Sequence, residues 1–341
     1  MKSQPPSKLI FVVGVWRSGT SLLHAFLHNH PRIALMYEAE PLTLFPRATR
    51  AVWPHDWTTR LEFFNQTFSR HRLDAAALPG KKSARESMLG LFQTWAARKD
   101  AVVMGGKSPS YYRCLPAIAR IFPEAEFIII WRDPLEVCRS VVNAGKQNRF
   151  FSRKGILTQV FFGSEHMAQG VLELRAAGRR VHEVAYQELI GDPKSELEKI
   201  CGFIGLEFDP RMLDLKSADC SMLPPGEHHT QVRSGVVKKT SAREEVLPAK
   251  FVAKATRYLA LWQEKYPNLV FNRALIVPPE AGPPGGFERL ADRGIYLGCS
   301  SLMDLKLFIF RLVPLSVWRR LRGKAKPNRA IDSATSAKIP A

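Results

Sequence analysis

The chain has 341 residues, 45% of them hydrophobic, with 50 Lys and Arg against 31 Asp and Glu, for a formal net charge of +19. The apolar content is that of a globular protein, and the length suffices for one substantial core with room for an appendage. The charge favours anionic partners, whether a nucleotide, an acidic acceptor, lipid headgroups or nucleic acid, and by itself does not choose among them.

Leu9 to Val13 is apolar throughout and reads as a central parallel strand covered on both faces. Gly14-Val15-Trp16-Arg17-Ser18-Gly19-Thr20-Ser21 follows, and Leu22, Leu23, Phe26 and Leu27 then recur at helical spacing up to Pro31. A strand, a glycine-bent loop and a helix start make an anion cradle, because backbone N–H groups turn inward and the helix dipole adds positive potential. Gly14 to Gly19 has the spacing of a triphosphate-binding P-loop with Ser21 at its Ser/Thr position, yet Thr20 stands where that loop carries lysine. Arg17 offers instead a planar fork of donors suited to a phosphate or sulfate-like group.

Glu38-Ala39-Glu40-Pro41 puts two carboxylates in a loop near the cradle, as a general base or as a solvated acidic turn. Residues 46–99 are rich in Trp, Phe, Arg and Leu, with helical periodicity around Leu61–Phe68 and Ser83–Ala97, and read as a helical insertion covering the site. His24, His28, His55 and His71 have no Cys or acidic partner at ligand spacing, so they are expected to be packed or surface histidines, with no metal site. The five cysteines form no CxxC pair and leave one over, which argues against a disulfide framework or a zinc site. Met1 to Lys8 is short and polar, so no signal peptide or anchor is expected there, and the expectation is a cytoplasmic location with membrane association at the inner surface as an option.

Ala101 to Gly106 is a second strand candidate that ends in Lys107, at the carboxyl end where ligand chemistry gathers in open α/β sheets. A helix is expected from Tyr112 to Phe122. The next strand, Phe127 to Trp131, ends in Arg132-Asp133-Pro134 and precedes a helix carrying Val137, Ser140, Val141 and Ala144. Arg132 and Ser140 are expected to converge on a second phosphate while Asp133 caps the helix that Pro134 opens; the alternative is an Arg132–Asp133 ion pair.

A long helix over Leu157–Ala177, a short strand from Arg180 to Ala185 that stops at Tyr186, and a helix opened by Asp192-Pro193 complete an alternating pattern. That alternation predicts an α/β fold, a P-loop-like central parallel sheet flanked by helices, in one domain over residues 1–275. Cys220 to Arg243 is a polar, basic loop placed either over the bound anion or in solvent, and Glu244 to Tyr266 is a closing helix. Residues 276–290, with Pro278-Pro279 and Gly282 to Gly286, read as a linker to a basic extension over 291–341. Within it, Leu302 to Trp318 is an apolar helix followed by Arg319, Arg320, Arg322, Lys324 and Lys326, too short and too charged to span a bilayer. Residues 302–326 suit peripheral contact with a membrane surface, or packing on the protein or on its twin in a homodimer; the end after Lys326 has a disordered composition.

The chain resembles the sulfotransferases that use 3′-phosphoadenosine 5′-phosphosulfate (PAPS). Arg17-Ser18-Gly19-Thr20-Ser21 is similar to the family's 5′-phosphosulfate loop, Phe127 to Ser140 to its 3′-phosphate motif, and Val184 to Leu206 to a third segment. The nearest resemblance is to the branch of tyrosylprotein and related bacterial enzymes. It implies Glu38 as base, Lys107 at the bridging oxygen, Arg17 at the sulfuryl group, and cofactor contacts from Ser18, Gly19, Thr20, Ser21, Arg132, Ser140 and Tyr186. Tyr37 stands where that branch often has another acidic residue, and an Arg-Lys-Gly segment is absent, which leaves the late cofactor contacts among Arg233, Ser234, Lys238 and Lys239.

The activity this implies is transfer of a sulfuryl group, without metal, from PAPS as co-substrate to the hydroxyl of a carbohydrate, lipid, small alcohol or peptide tyrosine. No nucleic acid partner is expected. The rivals are a P-loop kinase-like phosphotransferase and a non-enzymatic basic protein that binds acidic lipid or nucleic acid.

Overall fold

The computed structural model describes residues 8–39, 84–216, 232, 234–235, 245–275 and 283–312. Five strands lie in one sheet: β1 (Lys8–Val13), β2 (Ile33–Tyr37), β3 (Val103–Lys107), β4 (Glu126–Trp131) and β5 (Val181–Ala185). Their order is β2-β3-β1-β4-β5, every neighbouring pair parallel, as the alternating pattern predicts. The first crossover leaves β1 for the β2 edge and the chain later returns to β4 on the other side, so the sheet switches direction at the carboxyl end of β1. Such a switch point leaves a crevice.

Each central strand is apolar because both faces are covered. Ile10 and Val12 of β1, with Ile128 and Ile130 of β4, pack beneath α1 (Thr20–Asn29). Leu9, Phe11 and Val13, with Phe127, Ile129 and Trp131, face the opposite core. That second core is built by α2 (Ala84–Ala97), α3 (Leu115–Ile121), α4 (Pro134–Gly145) and α5 (Ile156–Ala176). On the α1 side lie α6 (Tyr186–Gly191) and α7 (Pro193–Ile204); α8 (Ala249–Lys265) and α9 (Val270–Ala274) join the larger core, and α10 (Gly286–Leu312) follows.

Gly105 is fixed by the sheet itself. Its φ is +149°, and a Cβ there would stand 1.8 Å from the carbonyl oxygen of Ile10, its register partner on β1. Any side chain would force the two strands apart.

Ile33–Tyr37, for which the sequence predicts no element, is an edge strand; a five-residue apolar run fits either a strand or a turn of buried helix. Several expectations are corrected. Tyr112 to Phe122 is a short 3-10 turn (Tyr111–Arg113) and then α3, broken at Cys114, whose extended φ of −135° precedes the proline-containing first turn. The closing helix starts at Ala249 because Pro248, with ψ of 129°, stands outside it. The last helix begins at Gly286, inside the stretch read as linker, because Asp292 and Tyr296 give it an inward stripe well before Leu302. Of the 46–99 insertion only residues 84–99 are described, as α2 and its C-terminal turn. His55, His71, Glu40, Arg233, Lys238, Lys239 and residues 313–341 lie outside the described residues.

Candidate active site

The loop between β1 and α1 closes on itself. Ser18 donates both its backbone N–H (3.1 Å) and its hydroxyl (2.8 Å) to the carbonyl of Val15, which allows Arg17 to adopt a φ of +71°. Ser18 is fully buried, so its hydroxyl braces the loop, where the resemblance implies a cofactor contact. Gly19 is the N-cap of α1 at φ 101°, with no side-chain cap and no acidic residue in the first turn. The first-turn N–H groups of α1, beginning with Thr20 and Ser21, therefore have no intrahelical partner and carry the positive end of the dipole. A Cβ on Gly14 would stand 2.4 Å from Ser18 Oγ, and one on Gly19 would stand 2.5 Å from the Tyr186 ring.

Arg17 joins the two anion motifs into one site. Its Nε donates to Ser140 Oγ at 3.2 Å, across 123 residues of sequence. Arg132, at the carboxyl end of β4, donates from Nη1 to the Arg17 carbonyl (3.1 Å) and lays its guanidinium over the Tyr186 ring at 4.6 Å. Asp133 does cap α4, accepting from Glu136 N–H at 2.9 Å, and the ion pair of Arg132 is with Glu136 (3.7 Å) in place of Asp133. Ser140 and Arg132 thus meet through Arg17. Burial, and then the charge of Arg132, pushes the Arg17 guanidinium down to about 10, against a raising influence from Tyr37 and Tyr186. Two guanidiniums crowded at a strand switch point favour a polyanion between them.

The second half of the site hangs on Lys107, 1% exposed at the end of β3. Its ammonium lies 3.2 Å from Ser21 Oγ, 3.6 Å from the Glu38 carboxylate and 3.9 Å from the centroid of the Tyr37 ring. Tyr37 OH shares a 2.8 Å hydrogen bond with Ser21 Oγ. Glu38 has a φ of +51°, and with Arg17 it makes two of the three positive-φ non-glycine residues described, the third being Asp100. Backbone strain of this kind costs about 1–3 kcal/mol per residue and persists where the surroundings enforce it. Glu38 is 24% exposed at its side chain while Lys107 is sealed, so the carboxylate is the member of the pair that solvent or an acceptor reaches.

The residues fit a phosphorylated nucleotide. The Nε of buried Arg132 has no hydrogen-bond partner, the first turn of α1 lacks a cap, and the two loop glycines keep open a cradle that side chains would fill. Sequence reasoning brought Arg17, Ser21, Glu38, Lys107, Arg132, Ser140 and Tyr186 to this place. It missed the bridging part of Tyr37, read only as a departure from an acidic position, and that of Glu136, which pairs with Arg132 and Arg139. The i,i+4 spacing from Arg132, just ahead of α4, to Glu136 in its first turn was the available signal. His24 and His28 are packed, as expected: His24 Nε2 bonds the Leu35 carbonyl (3.0 Å) and the two rings stack at 5.3 Å. Among the described residues no group of three His, Cys, Asp or Glu side chains could hold a metal ion.

A glycine-bent loop with a bare helix start on a parallel sheet, beside an acid–ammonium pair at the neighbouring strand ends, is an arrangement suited to group transfer. Residues 9–210 match the model of the sulfotransferase family, more than half of the chain. The protein belongs to that family, whose members are transferases that move a sulfuryl group. It is 25% identical over 210 residues to a putative protein-tyrosine sulfotransferase of Caenorhabditis briggsae, covering 60% of this chain and 68% of that one. It is also 25% identical over 254 residues to the omega-hydroxy-beta-dihydromenaquinone-9 sulfotransferase Stf3 of Mycobacterium bovis, covering 60% and 63%. The chain therefore spans about two thirds of the length of these curated relatives. Among solved structures, the sulfotransferase domain of the Synechococcus PCC 7002 olefin synthase overlaps with a TM-score of 0.47 at 20% identity, covering 73% of this chain and 92% of that one.

Proposed function

We propose that this protein transfers the sulfuryl group of PAPS to the hydroxyl of an acceptor molecule. The observation that carries the reading is Lys107, held between the Glu38 carboxylate and Ser21 Oγ beside an uncapped helix start. The bound nucleotide supplies a sulfuryl group on a phosphate leaving group. Arg132, Ser140 and Tyr186 hold the nucleotide end, with Tyr186 as a shelf against which Gly19 and Arg132 pack. Arg17 and the N–H groups of the first turn of α1 offset negative charge at the transferring end, an electrostatic contribution of several kcal/mol in a site screened from water. Glu38 takes the proton of the acceptor hydroxyl at a carboxylate oxygen, and Lys107, by its charge, favours the ionised carboxylate and the departing oxygen.

Both relatives named above are named for their acceptors, a protein tyrosine in one and a hydroxylated menaquinone in the other, which share a hydroxyl nucleophile. Thr20, buried at the position of the P-loop lysine, weighs against a kinase that uses nucleoside triphosphate. The test is calorimetric titration with adenosine 3′,5′-bisphosphate beside ATP–Mg²⁺, followed by an acceptor screen with sulfate-labelled donor. Saturable binding of the bisphosphate and label in one acceptor class are expected; preference for ATP–Mg²⁺, or no bisphosphate binding, overturns the reading.

A further inference from the structure

The helix α10 is pinned to the body on one side and bare on the other. Asp292, 3% exposed, accepts from the Lys254 ammonium and from Tyr258 OH (2.8 Å), and Glu288 pairs with Arg257 at 2.9 Å. Tyr296, 6% exposed, sets its ring 6.2 Å from Phe162 and 6.0 Å from His166. Residues 288, 292 and 296 recur every fourth position, so one stripe faces the protein and the roll of the helix is fixed. Away from that stripe stand Phe287 at 87% exposure, Leu290 at 72% and Leu297 at 42%, while Ile295, seven residues after Glu288, flanks the stripe.

That face is apolar and its border is cationic. The two acids of this stretch are tied inward, while Arg289 and Arg293 are exposed beside it. The helix continues to Leu312. The sequence then adds Arg319, Arg320, Arg322, Lys324 and Lys326. No described helix is long and apolar enough to cross a membrane. A second copy placed on this face would bring two chains of net charge +19 together, whereas an anionic surface would attract the same charge.

We infer that α10 lies in the plane of an anionic lipid bilayer surface, with Phe287, Leu290 and Leu297 sunk among the acyl chains and Arg289 and Arg293 at the headgroups. Apolar burial and attraction to acidic lipid then act together, as they do for interfacial amphipathic helices. This docking is independent of the sulfuryl-transfer reading.

The test is co-sedimentation of the full chain with phosphatidylcholine vesicles made with and without phosphatidylglycerol. The wild type is expected to sediment with the anionic vesicles only, and less so as salt rises. Phe287→Asp with Leu290→Asp is expected to weaken that partition by about tenfold or more, since it puts charge where acyl chains were contacted. Arg289→Glu with Arg293→Glu is expected to abolish the preference for phosphatidylglycerol. Both pairs are exposed, and an unchanged circular-dichroism spectrum and urea midpoint certify that each variant is folded. Absence of wild-type sedimentation overturns the inference, as does an aspartate variant that sediments undiminished. A dimer that the aspartates dissolve, in a protein that ignores vesicles, assigns the face to a second copy and equally overturns it.

Discussion

Glu38 and Lys107 hold each other twice: the backbone N–H of Glu38 donates to the Lys107 carbonyl at 2.6 Å, and the Lys107 ammonium returns to the Glu38 carboxylate at 3.6 Å. The first contact extends the β2–β3 pairing by one residue beyond Tyr37↔Lys107, and the second spends that extension on chemistry. Glu38→Gln keeps the backbone bond and the shape while removing the base. Turnover is expected to fall by about 10²–10⁴, with the affinity for adenosine 3′,5′-bisphosphate unchanged. Kinetics on the acceptor found by screening, set beside calorimetry, would show whether the two readouts separate in this way.

Arg17 gives the nucleotide site an alkaline limit. Burial, then Arg132, lowers its pKa to about 10, so the guanidinium is charged at neutral pH and is lost as pH rises through that value. A bound anion favours the charged form, so between about pH 7, where the phosphates are fully ionised, and the transition, affinity for adenosine 3′,5′-bisphosphate should be level, and above it weaken by about tenfold per pH unit. Proton uptake on binding, read from calorimetry in buffers of different ionisation enthalpy near pH 10, is the accompanying sign. Binding that stays level through the transition would contradict the assignment of Arg17 to the anion.

Gly105→Ala sets a Cβ 1.8 Å from the Ile10 carbonyl at a φ of +149°. Neither strand end can retreat without breaking the β1–β3 ladder, and a loss of roughly 3 kcal/mol or more is expected. Gly106→Ala meets Tyr111 OH at 3.0 Å and the Ala39 and Phe92 side chains at 3.3 Å, contacts that small side-chain shifts relieve. Denaturant midpoints of the two variants should therefore differ widely, with Gly105→Ala far the lower or unfolded.

Acid should destabilise the protein through His30. Burial holds its pKa below the ordinary 6.5, opposed by its bond to the Glu207 carbonyl, and Nδ1 accepts the Arg32 N–H at 3.0 Å. The unfolded chain then takes up the proton first, so stability declines as pH drops below about 6.5 and holds steady above it. Burial moves His182 in the same direction. His30→Gln should flatten the slope of urea midpoint against pH; an unchanged slope would exclude His30 as its source.

The parallel sheet was legible because its inner strands are largely apolar and each ends at a loop signal or a charge: Val13 before Gly14, Trp131 before Arg132, and Lys107 itself. Edge strand β2 was not, since Ile33–Tyr37 is a short apolar run without alternation, which periodicity does not separate from buried helix. Loop chemistry could be named residue by residue, but its wiring is tertiary. Nothing local tells that Arg17 reaches Ser140 or that Ser18 spends its hydroxyl on Val15. The early start of α10 was obscured by Gly285-Gly286 and by an inward stripe made of Asp292 and Tyr296, polar residues that a hydrophobicity pattern does not count as core.

On the function proposed above, the bare first turn of α1 makes the donor molecule a missing piece of the helix. An anion seated there satisfies N–H groups that no side chain serves, so ligation and folding share one free-energy account, growing as RT ln(1 + [L]/Kd). Heat resistance becomes a gauge of nucleotide occupancy, readable before any acceptor is known.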